Sequence, residues 1–210
     1  MSNANASPRS PVADVGLLLE GTYPYVSGGV SSWVHQIING FPELTFAICF
    51  LGSRKQDYGD KKYKLPPNVV HIEEHYLYEV GGKPPITPHR GDKAMFSLNT
   101  ELHDYFRAPQ ALAQRGGEVL GQITAELQGR MDRSQFLYTE ASWNYTTAQY
   151  RERCTDPSFV DYFWTVRTMH TPIWTLSAIV ETFPAVRCYH AVSTGYAGFL
   201  GALLKRRYGS

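Results

Sequence analysis

Two short, unbroken apolar runs, Ala13 to Leu19 (ADVGLLL) and Leu44 to Leu51 (LTFAICFL), constrain this chain most. A strand with one wet face alternates polar and apolar residues. An uninterrupted run belongs to a strand covered on both faces, as in a parallel sheet. Between the two runs, EGTYPYVSGG is punctuated by Gly21, Pro24, Gly28 and Gly29 and cannot be regular structure. Val30, Trp33, Val34, Ile37, Ile38 and Phe41 then recur at helical spacing. They predict a helix with one apolar face that stops near Gly40 and Pro42. The opening is a βαβ unit, and its crossover is expected to be right-handed.

Asn68 to Glu73 predicts a third strand, and Tyr76 to Asp92, with Gly81-Gly82, Pro84-Pro85 and Pro88, a long loop. Helical patterning runs from Lys93 to about Ala113, from Glu118 to Gln128, through 134–152, and from Ser158 to Phe183. Pro172 is expected to break or kink the last of these. Arg187 to Val192 predicts a short strand, and Tyr196, Phe199, Leu200, Leu203 and Leu204 mark a final amphipathic helix. The expected fold class is α/β: a Rossmann-like, mostly parallel sheet with flanking helices and a helical insertion at about 93–183. Residues 1–12 read as a flexible leader and 13–210 as the folded domain. The chain stops after a helix, where an α/β sheet normally adds a strand, so a continuation is expected.

A formal charge of +1 excludes a strong general attraction to nucleic acid or anionic lipid. Lys205-Arg206-Arg207 suits the C-terminus of a helix. Cys49, Cys154 and Cys188 have no metal-binding or redox spacing, and Cys49 and Cys188 lie in apolar runs that read as buried strands. A reducing compartment follows. No run reaches the length of a membrane span, and MSNANASPRSP lacks the basic and apolar regions of a signal peptide. A cytoplasmic protein is expected.

The Gly28-Gly29 pair, after the first strand and at the start of the first helix, is the most informative local feature. It offers backbone N–H groups and the positive end of a helix dipole to an anion, or it is only a tight turn. The loop lacks the G-x-G-x-x-G of dehydrogenases, which disfavours an oxidoreductase. Gly82-Lys83 has Leu77 where a P-loop needs glycine. His190, at the end of the fourth expected strand, either faces the same rim or packs at a strand end. Glu20 and Tyr25 are weaker cleft candidates. His71-Ile72-Glu73-Glu74-His75 fits a zinc-peptidase string, but on a strand the two histidines stand roughly 13 Å apart. No metal is expected. Glu118 and Glu126 match an E-x7-E spacing by chance. Trp143, Trp164 and Trp174 read as packing residues, with Trp143 the exception if its polar neighbourhood is a loop.

The runs EGTYPYVSGGVSSWVHQII, SFVDYFWTVRTMHTPIW and CYHAVSTGYAGFLGALLKRR resemble the N-terminal region of PelF-type glycosyltransferases, which act in Pel exopolysaccharide synthesis. The resemblance spans most of 13–208. It implies the N-terminal, acceptor-side half of a retaining, metal-independent GT-B enzyme that uses a UDP-sugar and extends a growing polysaccharide. Gly28 and Gly29 match the loop that faces the donor diphosphate. His190 matches a histidine near the sugar, the catalytic candidate. The implied C-terminal donor-binding domain is absent, so this chain alone is expected to be inactive. An alternative is a non-catalytic module that docks a membrane-bound synthase and is recruited by it to the inner membrane.

Overall fold

The computed structural model describes residues 10–79, 90–107, 110, 133–155 and 158–209. The chain divides into two compact units, Met1–Glu79 with Thr175–Ser210, and Val80–Trp174.

The first unit is built on β1 (Ala13–Glu20), β2 (Phe46–Gly52), β3 (Val69–Tyr76) and β4 (Val186–Ala191). They form one sheet in the order β3-β2-β1-β4, and every pairing is parallel. α1 (Gly29–Gly40) connects β1 to β2, and α6 (Tyr196–Tyr208) follows β4. The apolar runs explain the architecture directly. Leu17, Leu19, Phe46 and Ile48 bury one side of the central strands with Val34 and Ile38 of α1. Leu18, Ala47, Cys49 and Leu51 bury the other with Leu200, Leu203 and Leu204 of α6. Adjacent residues thus feed opposite cores, which is why the sequence cannot alternate. All seven residues of β2 are buried.

Asp14 fastens the amino end of the sheet. Its Oδ2 accepts from the Thr45 N–H at 2.9 Å and the Thr45 hydroxyl at 2.8 Å, and Oδ1 accepts from Arg187 at 3.1 Å. The bonds from Thr45, then Arg187, hold its carboxyl below the usual carboxylate range. A depressed folded-state value contributes stability above the unfolded pKa of about 3.9, lost as pH falls through the folded value. The gap in urea midpoint between wild type and Asp14→Asn should therefore be constant at neutral pH and close below about pH 4. A gap independent of pH would contradict this role.

The second unit contains α2 (Lys93–Arg107), α3 (Arg133–Tyr138), α4 (Glu140–Arg153) and the first part of α5 (Phe159–Thr182), whose last residues belong to the first unit. Met95, Phe96, Phe136 and Ala141 form its core, with Val166 and Trp174 packed against them.

Several expectations change. α5 runs through Pro172 without breaking. Pro172 removes the backbone donor that would reach the Thr168 carbonyl, and the helix continues past it to Thr182. The third strand extends three residues beyond the predicted end, to Tyr76. Cys188 is exposed rather than buried, because β4 lies at an edge of the sheet, whereas Cys49 is fully buried. Trp164 is 60% exposed and not a core residue, and Trp143, the expected exception, is 52% exposed but lies in α4 rather than a loop. The predicted helix at Glu118 to Gln128, the Glu118/Glu126 pair, Gly82-Lys83, residues 1–9 of the leader and most of the 76–92 loop lie outside the described residues. Among the described residues, no helix is long and apolar enough to cross a membrane.

Candidate functional site

The strand order fixes where a ligand crevice can form. From β1 the chain moves to β2 and β3 on one side, and β4 joins on the other. The helices that follow β1 and β4 cover opposite faces, so their connecting loops part at the carboxyl ends of these two strands. Such a topological switch point is where open α/β sheets bind ligands.

The loop between β1 and α1 is anchored along its length. Gly21 takes a left-handed φ of 64° as the chain leaves the sheet. Tyr23 is wholly buried; its ring lies against His35 and Tyr63 and its hydroxyl meets His35 Nδ1 at 3.2 Å. Burial pushes its phenol up to about 12. The Tyr23-Pro24 peptide is cis, and the Pro24 carbonyl accepts from the Lys62 and Tyr63 N–H groups at 2.8 and 3.3 Å. Tyr25 stacks on Phe50 and Tyr58 and bonds to Glu74, which pairs with Lys61 at 2.8 Å. Burial and then Glu74 raise the Tyr25 phenol above its ordinary range. Tyr25 thus faces the ends of β2 and β3, where it holds the loop.

This anchored loop delivers Gly28 in extended backbone, and its carbonyl accepts the first helical bond, from Ser32. As the N-cap, Gly28 has no side chain to cap α1, no side chain among the described residues does so, and no acidic residue lies in the first turn. The N–H groups of a first turn have no acceptor within their own helix. At both Gly28 and Gly29 a Cβ would meet nothing within 4 Å, and neither has a left-handed φ. Neither packing nor backbone conformation requires glycine at these two positions. What they leave is open space in front of uncapped donors.

The start of α6 is built differently. Glu20 Oε2, at the tip of β1, accepts from the Ala197 N–H at 3.3 Å and the Ser193 hydroxyl at 3.1 Å. A carboxylate of the protein therefore already occupies this helix N-terminus. Gly195 makes room for it: a Cβ there would sit 2.7 Å from Glu20 Oε2. Gly195→Ala should push Glu20 off the helix and destabilise the domain by about 1 kcal/mol, the worth of a helix cap. Thermal unfolding checks this, and an unchanged midpoint would show that Glu20 contributes no cap.

His190 lies in β4 opposite Leu17, on the α1 side of the sheet, and is exposed. Its ring centroid is 5.8 Å from that of Trp33, at an interplanar angle of 42°. Trp33 is 43% exposed. The rim therefore brings Gly28, Gly29 and His190 to one end of the sheet, with Trp33 between the glycines and the histidine. Sequence reasoning assigned Trp33 to the buried face of α1. Only its proximity to His190, invisible without the strand register, marks it as part of the rim.

Among the described residues, no group of three or more His, Cys, Asp or Glu side chains could hold a metal ion. His71 and His75 are on β3, and both Nε2 atoms are engaged by the Glu73 carboxylate, at 3.0 and 2.8 Å. An open groove of about 430 Å³ in the second unit, lined by Phe96, Thr100, Tyr145 and Gln149 among others, contains none of the rim residues.

The fold defines the class: a Rossmann-like α/β domain whose parallel sheet has its topological switch point between β1 and β4. The chain belongs to the family described as Domain of unknown function (DUF3492), whose model matches residues 13–210. Comparison with the curated proteins and with the solved structures found no match.

Proposed function

We propose that this chain is the acceptor-side half of a retaining, metal-independent glycosyltransferase of the PelF type, transferring sugar from a UDP-sugar to a growing exopolysaccharide. One observation carries the reading. At the switch point of a parallel sheet, two glycines leave the N-terminus of α1 open although nothing among the described residues requires them to be glycine. That is the arrangement a diphosphate needs: close approach of backbone and several N–H donors in line with a helix dipole.

In the transfer, the bond from the anomeric carbon to the diphosphate breaks and a bond to an acceptor hydroxyl oxygen forms. The hydroxyl proton leaves with the diphosphate. Negative charge grows on the departing phosphate, and fixed donors aimed at it lower the barrier because they need no reorganisation. The Gly28-Gly29 turn supplies such donors, and His190 offers an imidazole to a sugar hydroxyl. Cationic side chains on a second domain would complete the cradle, and closure would exclude water.

The test is UDP release from a panel of UDP-sugars by the protein joined to its second domain, with exopolysaccharide fragments as acceptors. Saturable, acceptor-stimulated release of UDP from one donor is expected. Absence of release from every donor would sink the assignment.

A further inference from the structure

The apolar face of α1 is only half used. Val34 and Ile38 are buried against the sheet, but Val30 and Trp33, at 45% and 43% exposure, are not. Val30 and Trp33 are three apart on one helix and share a side of it. Val26, in the loop before the helix, is exposed as well. Neither Trp33 nor His190 has a hydrogen-bond partner among the described residues, so the indole N–H and both imidazole nitrogens are free to meet a ligand. The pairing is an indole face with an imidazole set beside it at a 42° tilt.

We propose that Trp33 and His190 form a platform for a pyranose ring, the C–H face of the sugar lying on the indole and its hydroxyls bonded to the imidazole. This rests on the proposed glycosyl transfer and names a binding residue for it that the sequence motifs do not supply. The physical match is specific. An aromatic face is electron-rich and attracts the weakly positive C–H groups of a pyranose, while hydroxyls at the ring edge need partners that both donate and accept, as a neutral imidazole does. Position fits as well. Trp33 follows Gly29 by four residues, about 6 Å along the helix, so a sugar on the indole lies one turn from the open N–H groups. The pyranose is either the glycosyl group of the donor or a residue of the acceptor glycan.

The test is a titration of ¹⁵N-labelled protein followed at the tryptophan indole N–H signals, with Trp33 assigned through Trp33→Phe. The probes are UDP, UDP-glucose, UDP-galactose and UDP-N-acetylglucosamine, then the neutral methyl glycosides of the same three sugars. A shift of the Trp33 indole with a UDP-sugar beyond that given by UDP assigns the platform to the donor. A shift with a neutral glycoside assigns it to the acceptor. In either case Trp33→Ala should weaken the interaction about tenfold and Trp33→Phe less, the loss expected for one aromatic contact. The signals of exposed Trp143 and Trp164 should stay in place and report an intact fold. No Trp33 shift with any sugar, or the same shift with UDP alone, would overturn the platform. The amides of Gly28, Gly29 and Val30 report the diphosphate independently, so failure of the platform and failure of the transferase reading give different spectra.

Discussion

Gly29→Val is expected to reduce the proposed glycosyl transfer by roughly 10²–10³-fold, as much as losing a preorganised donor to a developing oxyanion, because its side chain bars the phosphate from the backbone N–H groups. Its diagnostic value lies in what it should not do. A side chain at residue 29 would meet no atom of the protein within 4 Å of its first carbon. Glycine is also about 1 kcal/mol less favourable than alanine inside a helix. The variant should therefore fold as well as the wild type, and Gly29→Ala should melt slightly higher. Activity lost at unchanged or raised stability marks a residue shaped for a ligand. Equal loss of both would make the pair a structural turn after all. Measuring UDP release and thermal midpoint on the same preparations separates these results.

The second large effect is on stability. Tyr23→Ala should destabilise the first unit by about 3–5 kcal/mol, as truncation of a buried aromatic usually does. Tyr23 is 0% exposed, packs against His35 and Tyr63, and carries the loop into α1. Tyr23→Phe keeps the ring and loses only the bond to His35, about 0.5–1.5 kcal/mol. Urea denaturation should rank the three proteins in that order. Alanine no worse than phenylalanine would mean that the ring does not hold the loop.

The parallel sheet was legible because burial on both faces writes itself into sequence as unbroken apolar runs, and β1 and β2 are such runs. β4 was legible as a strand but not as an edge, since its exposed Cys188 follows from the strand order and from nothing in the segment. Pro172 was expected to break or kink α5; the helix does not break there, although a proline in its interior removes one backbone donor. Gly28 and Gly29 could be found from sequence, whereas the emptiness around them could not. Trp33 shows the limit most clearly. Helical periodicity reports that a residue is apolar and which side of its helix it occupies. It does not report whether the sheet extends far enough to cover it, and Trp33 stays 43% exposed beside the exposed ring of His190 at the edge strand. Glu20 and Gly195 are separated by most of the chain, and their mutual fit is readable only once β1 and α6 meet.

The central claim is that the open N-terminus of α1 receives a nucleotide diphosphate. An amide NMR titration of this chain with UDP, carried to millimolar concentration and then repeated on a longer chain carrying the proposed donor-binding domain, tests it most directly. Shifts centred on Gly28, Gly29 and Val30, with the start of α6 unmoved because Glu20 already fills it, are the predicted result. Amides of residues 28–30 that stay in place in both proteins would contradict the claim.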